Sequence, residues 1–461
     1  MSSYSSGEFG SAHNYDWTGS LLNDNYIVIK KIGFGSFSTV WLCYSLRHKT
    51  CFAIKILNPE DDRSGEKEIG VYKMLNKEKS SLLIHMIDNF IYVKEDEYVC
   101  IVLELMLCSA YDLLKLNNKN GFEPELVKKI IYDTLRAIAI VHKSGIIHTD
   151  VKPENMLIGG GGIGGDVVKL VAAFNEGDVT KLMLKATKDL KQMRGKDKPV
   201  GSIKERAVKQ VVLNLIKSVS SGSIITERKE RERCNSDSDR YDSPYVVDRE
   251  EISSDDDRHE DIKQAPGEVL ALDTGTLTIK LSDLGTCLKL DKIKYKEIQT
   301  RHYRAPEILL RLKYNEKCDI WSIGCCIYEF ITGKVLFNPN STETISCDRF
   351  HVCNLISKIG MIPENLIESS PRKDIFFKKN GLVRGVSELD SHEEPMKVTL
   401  TNKLRSMSMV TSNEVEMILD LITKMLRYEP DQRLSAEECL SHEWFKSFVK
   451  EVKSTSSKRK T

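Results

Sequence analysis

The chain has 461 residues, enough for one two-lobed enzyme or for two or three ordinary domains, and 41% of them are hydrophobic, enough to close real cores. Its 68 lysines and arginines nearly cancel 67 aspartates and glutamates, so no global field draws it to nucleic acid or an anionic membrane, and neither is expected as a direct partner. Twelve scattered cysteines form no C-x-x-C pair, and several sit in apolar surroundings such as Cys100 between Val99 and Ile101, a pattern of reduced thiols that speaks against a disulfide frame or a zinc site.

Residues 1–22 are rich in Ser, Gly, Asn and Tyr without periodicity and read as a flexible leader. Met1–Gly10 lacks the basic and apolar regions of a secretory signal, and no apolar run approaches the roughly 18 residues of a membrane span, so a cytoplasmic protein is expected. From Tyr26 to Leu57, apolar and polar residues alternate through Ile27, Ile29, Val40, Leu42 and Phe52 around a Gly-rich turn, which predicts antiparallel strands. Helical patterns follow. Leu126–Val141 carries Ile130, Ile131, Leu135, Ile138 and Val141 on one face, and Cys318–Thr332 is almost wholly apolar, a buried helix. In between, Val167, Leu170, Val171 and Phe174, and later Val208, Val211, Val212 and Leu215, suggest amphipathic helices. Glu227–Asp261 then holds 21 charged residues in 35 and cannot bury enough apolar surface to fold. The expected class is α+β: leader 1–22, strand-rich lobe 23–103, helical lobe 104–158 resuming at 276–447, insert 159–275 that is partly helical and then disordered, and basic tail 448–461. Lys458, Arg459 and Lys460 read as a solvated end, the alternative being a nuclear import signal.

Gly33-Phe34-Gly35-Ser36-Phe37-Ser38-Thr39-Val40 is a Gly-rich turn between strands, where missing side chains let backbone N–H groups approach a phosphate. A plain hairpin explains it equally well, and a dinucleotide fingerprint does not, because Ser38 stands at the third glycine and a strand follows. In the strand Phe52-Ala53-Ile54-Lys55 a lysine interrupts an apolar run, and a buried ammonium needs an anionic partner. Glu68, in a helix expected over Glu66–Asn76, lies where such a partner belongs; a snorkelling lysine and a surface glutamate are the plainer alternative.

His148-Thr149-Asp150-Val151-Lys152-Pro153-Glu154-Asn155 resembles the catalytic loop of serine/threonine protein kinases. That resemblance implies a bilobal kinase fold and an enzyme using ATP and Mg²⁺. Asp150 would accept the hydroxyl proton, Lys152 steady the transferred phosphoryl group, and Asn155 hold magnesium. Ser282-Asp283-Leu284-Gly285 looks like the D-F-G turn with Leu for Phe, making Asp283 a second magnesium ligand. The Gly-rich turn (Gly33, Gly35, Ser36, Phe37, Ser38, Val40), Ala53, Lys55, Glu68, Leu103 as the residue gating the base pocket, Glu104 and Met106 would then form the ATP site. Lys152, with Thr300 downstream, resembles the serine/threonine pattern, not the tyrosine one. Arg304-Ala305-Pro306-Glu307 resembles the end of the activation segment, Asp319 the buried aspartate of the next helix, and Arg433 the partner of Glu307.

Tyr303-Arg304 before Ala305, Thr149 in place of the usual arginine, and 128 positions between Asn155 and Asp283 make the chain similar to the SR-protein kinases of the CMGC group. The family implies protein substrates, Arg/Ser-rich splicing factors among them; a monomer is expected. The alternatives are a CMGC-type kinase with other substrates and a pseudokinase scaffold. Family members hold Arg-rich substrates in an acidic groove, whereas Ser346–Gly360 here keeps Asp348 but places Arg349, Phe350, Ser357 and Lys358 where acids would help.

Overall fold

A computed structural model describes residues 15–35, 37–59, 62–160, 274–292, 297–340, 346–379, 383–384, 394–446 and 448. Six strands alternate in sequence so that each presents one side chain in two to either face. They are β1 (Leu21–Leu22), β2 (Tyr26–Gly35), β3 (Ser38–Ser45), β4 (Cys51–Leu57), β5 (Met86–Val93) and β6 (Glu97–Leu103), joined antiparallel in the order β1-β2-β3-β4-β6-β5. One face, with Ala53, Leu57, Val99 and Ile101, packs with Val71, Tyr72 and Leu75 of helix α1 (Asp62–Leu75) in the main core. The opposite face, with Val28, Trp41, Ile54, Cys100 and Val102, forms a smaller core of its own.

That second core changes the reading of the leader. Trp17 is fully buried in it, edge-on to Tyr92 and Tyr98, and Leu21 and Leu22 pair with Ile27 and Tyr26. The expected flexible stretch 1–22 is therefore part of the folded lobe from Tyr15 to Leu22. Aromatic burial outweighs the polar local composition, because an apolar sheet face with nothing over it would stay wet.

The second lobe starts with β7 (Cys108–Ser109), α2 (Ala110–Leu116) and α3 (Pro124–Lys143), whose periodic face Ile130, Ile131, Leu135, Ile138 and Val141 is buried as its spacing requires. Strands β8 (Ile146–Ile147), β9 (Met156–Gly160), β10 (Leu277–Leu281) and β11 (Leu288–Lys289) form two small ladders, β10-β9-β7 and β11-β8. Gly159 and Gly160 pair with Thr278 and Leu277, so the first two residues of the insert expected over 159–275 belong to a strand; its helices and charged run lie outside the described residues. Then come α4 (Pro306–Leu309), α5 (Lys317–Thr332), α6 (Cys347–Ile359), α7 (Glu364–Ser369), α8 (Lys373–Phe376), α9 (Met396–Arg405), α10 (Ser412–Met425) and α11 (Ala436–Leu440). Helix α5 is the axis of this lobe. Its neighbours come so close that a Cβ on Gly324 would lie 2.9 Å from the Leu426 side chain. No helix among the described residues is long and apolar enough to cross a membrane.

Trp17→Ala should cost about 3 kcal/mol or more, as large-to-small changes at buried aromatics do. Urea unfolding followed by tyrosine and tryptophan fluorescence checks this; a midpoint shift worth under about 1 kcal/mol would mean that the segment does not cover the sheet.

Candidate active site

The Gly-rich turn closes the β2–β3 hairpin, with Gly33 opposite Val40 and Gly35 opposite Ser38, while Ser36 is outside the described residues. A Cβ on Gly35 would meet nothing within 4 Å, and Phe37 at the tip is 63% exposed, so the turn is open to a ligand. Ala53 pairs with Leu103 across β4 and β6, and Met106 lies against Gly159. Ala53 and Leu103 belong to the main core, and Val40 and Met106 pack against the same core. The Glu104 carboxylate takes both Lys280 Nζ (2.6 and 2.7 Å) and the His85 N–H (2.8 Å), so its side chain braces the connection between the lobes. Lys280 was not singled out from sequence, though a lysine inside Leu277–Leu281 carried the same signal as Lys55.

Lys55 gathers the first charged group. Its ammonium donates to both oxygens of Glu68 (2.8 and 2.9 Å) on α1 and to Asp283 (2.9 Å) beyond β10. Burial by itself would pull the Lys55 pKa down, but the two carboxylates outweigh it and hold the pKa above its usual value. Glu68, almost fully buried, is pushed up by desolvation, which Lys55 only partly offsets. Lys55 holds Asp283 down at about 2, against the opposing effect of burial, so its carboxylate stays ionised until the pH falls that far.

The second group hangs on the loop between β8 and β9. Buried Asp319 at the start of α5 accepts the backbone N–H groups of His148 (2.8 Å) and Thr149 (2.9 Å). His148 shares a ring nitrogen with the Ser282 carbonyl (3.0 Å), tying this loop to the Asp283 turn. Asp150 so placed contacts Lys152 Nζ (2.8 Å) and accepts from Thr300 Oγ1 (2.6 Å), and Lys152 also donates to that hydroxyl (3.0 Å). Burial lowers the Lys152 pKa, but Asp150 more than compensates and the net shift is upward. Asn155 donates its Nδ2 to Asp150 at the carbonyl (2.8 Å) and the carboxylate (3.2 Å), which leaves the amide oxygen as the ligand atom. An amide oxygen and the ionised Asp283 carboxylate are the hard donors that Mg²⁺ prefers, so the residues present fit that ion.

Supporting contacts lie behind. Arg433 donates to both oxygens of Glu307 (2.8 and 3.0 Å) in full burial, the partnership expected from sequence. Gln299 donates to the Cys318 carbonyl (2.9 Å) and Ser322 (2.8 Å) and accepts from the Ala305 N–H (2.9 Å). Thr149 Oγ1 donates to the Thr286 carbonyl (3.0 Å), a neutral hydrogen bond between the loop and the segment after Asp283.

The family model described as protein kinase domain matches residues 26–172 and 254–445. The chain belongs to the protein kinase family. Among similar curated proteins, a serine/threonine-protein kinase SRPK of Physarum polycephalum is 25% identical, over 92% of this chain and 86% of its own. SRSF protein kinase 3 of Mus musculus is 26% identical (92% and 87%), and protein kinase dsk1 of Schizosaccharomyces pombe 25% (91% and 80%). The chain is a serine/threonine protein kinase of SR-protein-kinase-like type, in a family that uses ATP and Mg²⁺.

Because unmodified side chains, Gln299 and Thr149 among them, hold the activation segment, the kinase should be active as synthesised. Phosphatase treatment followed by a transfer assay should change the rate by less than about twofold, whereas segments ordered by phosphate lose most of their activity. A large loss would overturn this reading.

Proposed function

We propose that Asp150 is the general base that takes the proton of a substrate serine or threonine hydroxyl, and the observation that carries this is the convergence of Lys152, Thr300 and Asn155 on that one carboxylate. Lys152 lies beside it as a cation for the charge that develops on the transferred group, and Thr300 fixes both. Asp283 and Asn155 would hold Mg²⁺, which on binding neutralises phosphate charge. Lys55, oriented by Glu68, would hold the nucleotide's phosphates, and Ala53, Leu103 and Met106 its base. These residues position, exclude water and move one proton, which is most of what phosphoryl transfer asks of a protein.

We also infer that protein hydroxyls in Arg-Ser segments are substrates, but handled less processively than in the named relatives. Asp348 on α6 is engaged by Arg301 (2.5 Å) and Arg372 (2.6 Å), so it cannot greet an incoming arginine without releasing one of them. At the other end of α6, Lys358 reaches the Glu394 carbonyl (3.1 Å) on the surface and adds positive charge. A kinase of the same group acting on less basic substrates is the reading these contacts favour next.

Two experiments test these proposals. Lys55→Met, Asp150→Asn and Asp283→Asn should each lower γ-phosphate transfer by about 10²-fold or more with the fold retained by circular dichroism. Full activity in Asp150→Asn would overturn the base assignment, and an inactive wild-type chain would favour a scaffold. On a long Arg-Ser peptide, Lys358→Glu should tighten binding at low salt by a few-fold at most, an exposed charge being worth about 1 kcal/mol. Processive phosphorylation by the wild type together with no effect of Lys358→Glu would sink the groove argument.

A further inference from the structure

Glu297 is a half-exposed carboxylate of the activation segment that neither the motifs nor the proposed chemistry uses. It lies against two guanidiniums from the turn that follows it. Arg304 donates Nη1 to it and gives Nε and Nη2 to the Gln299 carbonyl (3.2 and 3.0 Å), and Arg301 Nη2 lies 3.9 Å away. Arg301 then passes to Asp348 on α6 (2.5 Å), Asp348 to Arg372 (2.6 Å), and Arg372 Nη1 to the Leu309 carbonyl of α4 (3.0 Å). Three guanidiniums, each about four-fifths or more buried, therefore face two carboxylates. Taking Glu297 away removes one of these two carboxylates, the one that Arg304 meets.

Closely set arginines of this kind are what a phosphorylated activation segment pairs with when it becomes ordered. Here the anion is encoded. We propose that Glu297 is a positioning residue that does the work of an activation-segment phosphate, holding Arg301 and Arg304 and through them the substrate platform 297–304 in its working arrangement. The path to the chemistry is short. Gln299, whose carbonyl Arg304 grips, precedes Thr300, and the Thr300 hydroxyl bonds both Asp150 and Lys152. A second path runs from Arg301 to Asp348 in the N-terminal turn of α6. The inference rests on the protein kinase reading and adds to it the reason why no modification is needed. It concerns the substrate side alone, since Lys55, Glu68 and Asp283 form a separate cluster.

The test is steady-state kinetics of the full chain with a long Arg-Ser peptide, and with myelin basic protein as a second acceptor. Glu297→Gln, which keeps shape and removes charge, should raise the KM for the acceptor roughly fivefold, in the usual range of coupling between sites, with the KM for ATP unchanged. Glu297→Asp should restore most of it. The Gln variant should also lose the wild type's drop in activity at high salt, because the screened charge is gone. An unchanged acceptor KM in Glu297→Gln would overturn the inference. So would an Asp variant as poor as the Gln variant, or an ATP KM that rises in step with the acceptor KM, which would indicate a merely structural residue. A wild-type chain that transfers phosphate to neither acceptor would instead bring down the kinase reading itself.

Discussion

The ammonium of Lys55 is the point on which the site depends. A lysine with only 12% of its side chain exposed is costly to keep charged unless carboxylates surround it, and the two that do so come from a helix and from a turn 228 positions away. The requirement is mutual. Glu68 is itself buried and Asp283 is held ionised mainly by this one cation, so removing any member leaves an unpaired charge in a low-dielectric place. The strand lobe, α1 and the Asp283 turn are thereby brought into register by electrostatics, while the apolar core around Tyr72 and Leu75 supplies the bulk of the burial.

Around this node the backbone is strained in a way that the hydrogen bonds explain. Thr149, Asp283 and Gln299 all have positive φ (72°, 62° and 69°), a conformation unfavourable for side chains other than glycine and costing about 1–3 kcal/mol each. Each is compensated locally. Asp319 takes the N–H of Thr149, Lys55 takes the carboxylate of Asp283, and the Gln299 amide is satisfied at both ends inside the lobe. Asp319 also meets His142 at 2.9 Å, so the aspartate that aims the catalytic loop is fixed from α3 as well as from its own helix. Other non-glycine residues, such as Lys49 and Arg311, also have positive φ, but at these three the strain is countered from behind by contacts that fix the loops before a substrate arrives.

Charge is arranged differently in two places. Around Lys55 the groups are few and tightly paired. From Glu297 through Arg301 and Asp348 to Arg372 they form an extended chain with buried arginines, and its half-exposed end, Glu297, is the member most easily screened. The exposed end of that chain can therefore vary in charge without disturbing the Lys55 cluster.

Residues 148–155, the Asp283 turn and the Arg304–Glu307 string were legible in the sequence because each is a short contiguous segment whose chemistry survives without its neighbours. So was the strand-then-helix order of the lobes, through periodicities of 2 and 3.6. Lys55 could be marked as a cation in need of an anion, and Glu68 as a candidate for it. Composition misjudged Tyr15–Leu22, since Trp17 is held by Tyr92 and Tyr98, aromatic residues more than 70 positions away, and no local pattern announces that. The sequence by itself determined the identity and order of the reacting groups. Tertiary structure alone decided which charges are spent: that Glu104 belongs to Lys280, that Asp348 belongs to two arginines, and that Asp283 shares Lys55 with Glu68. The physical reason is that an ion pair depends on distance through space, and the chain carries distance only along itself.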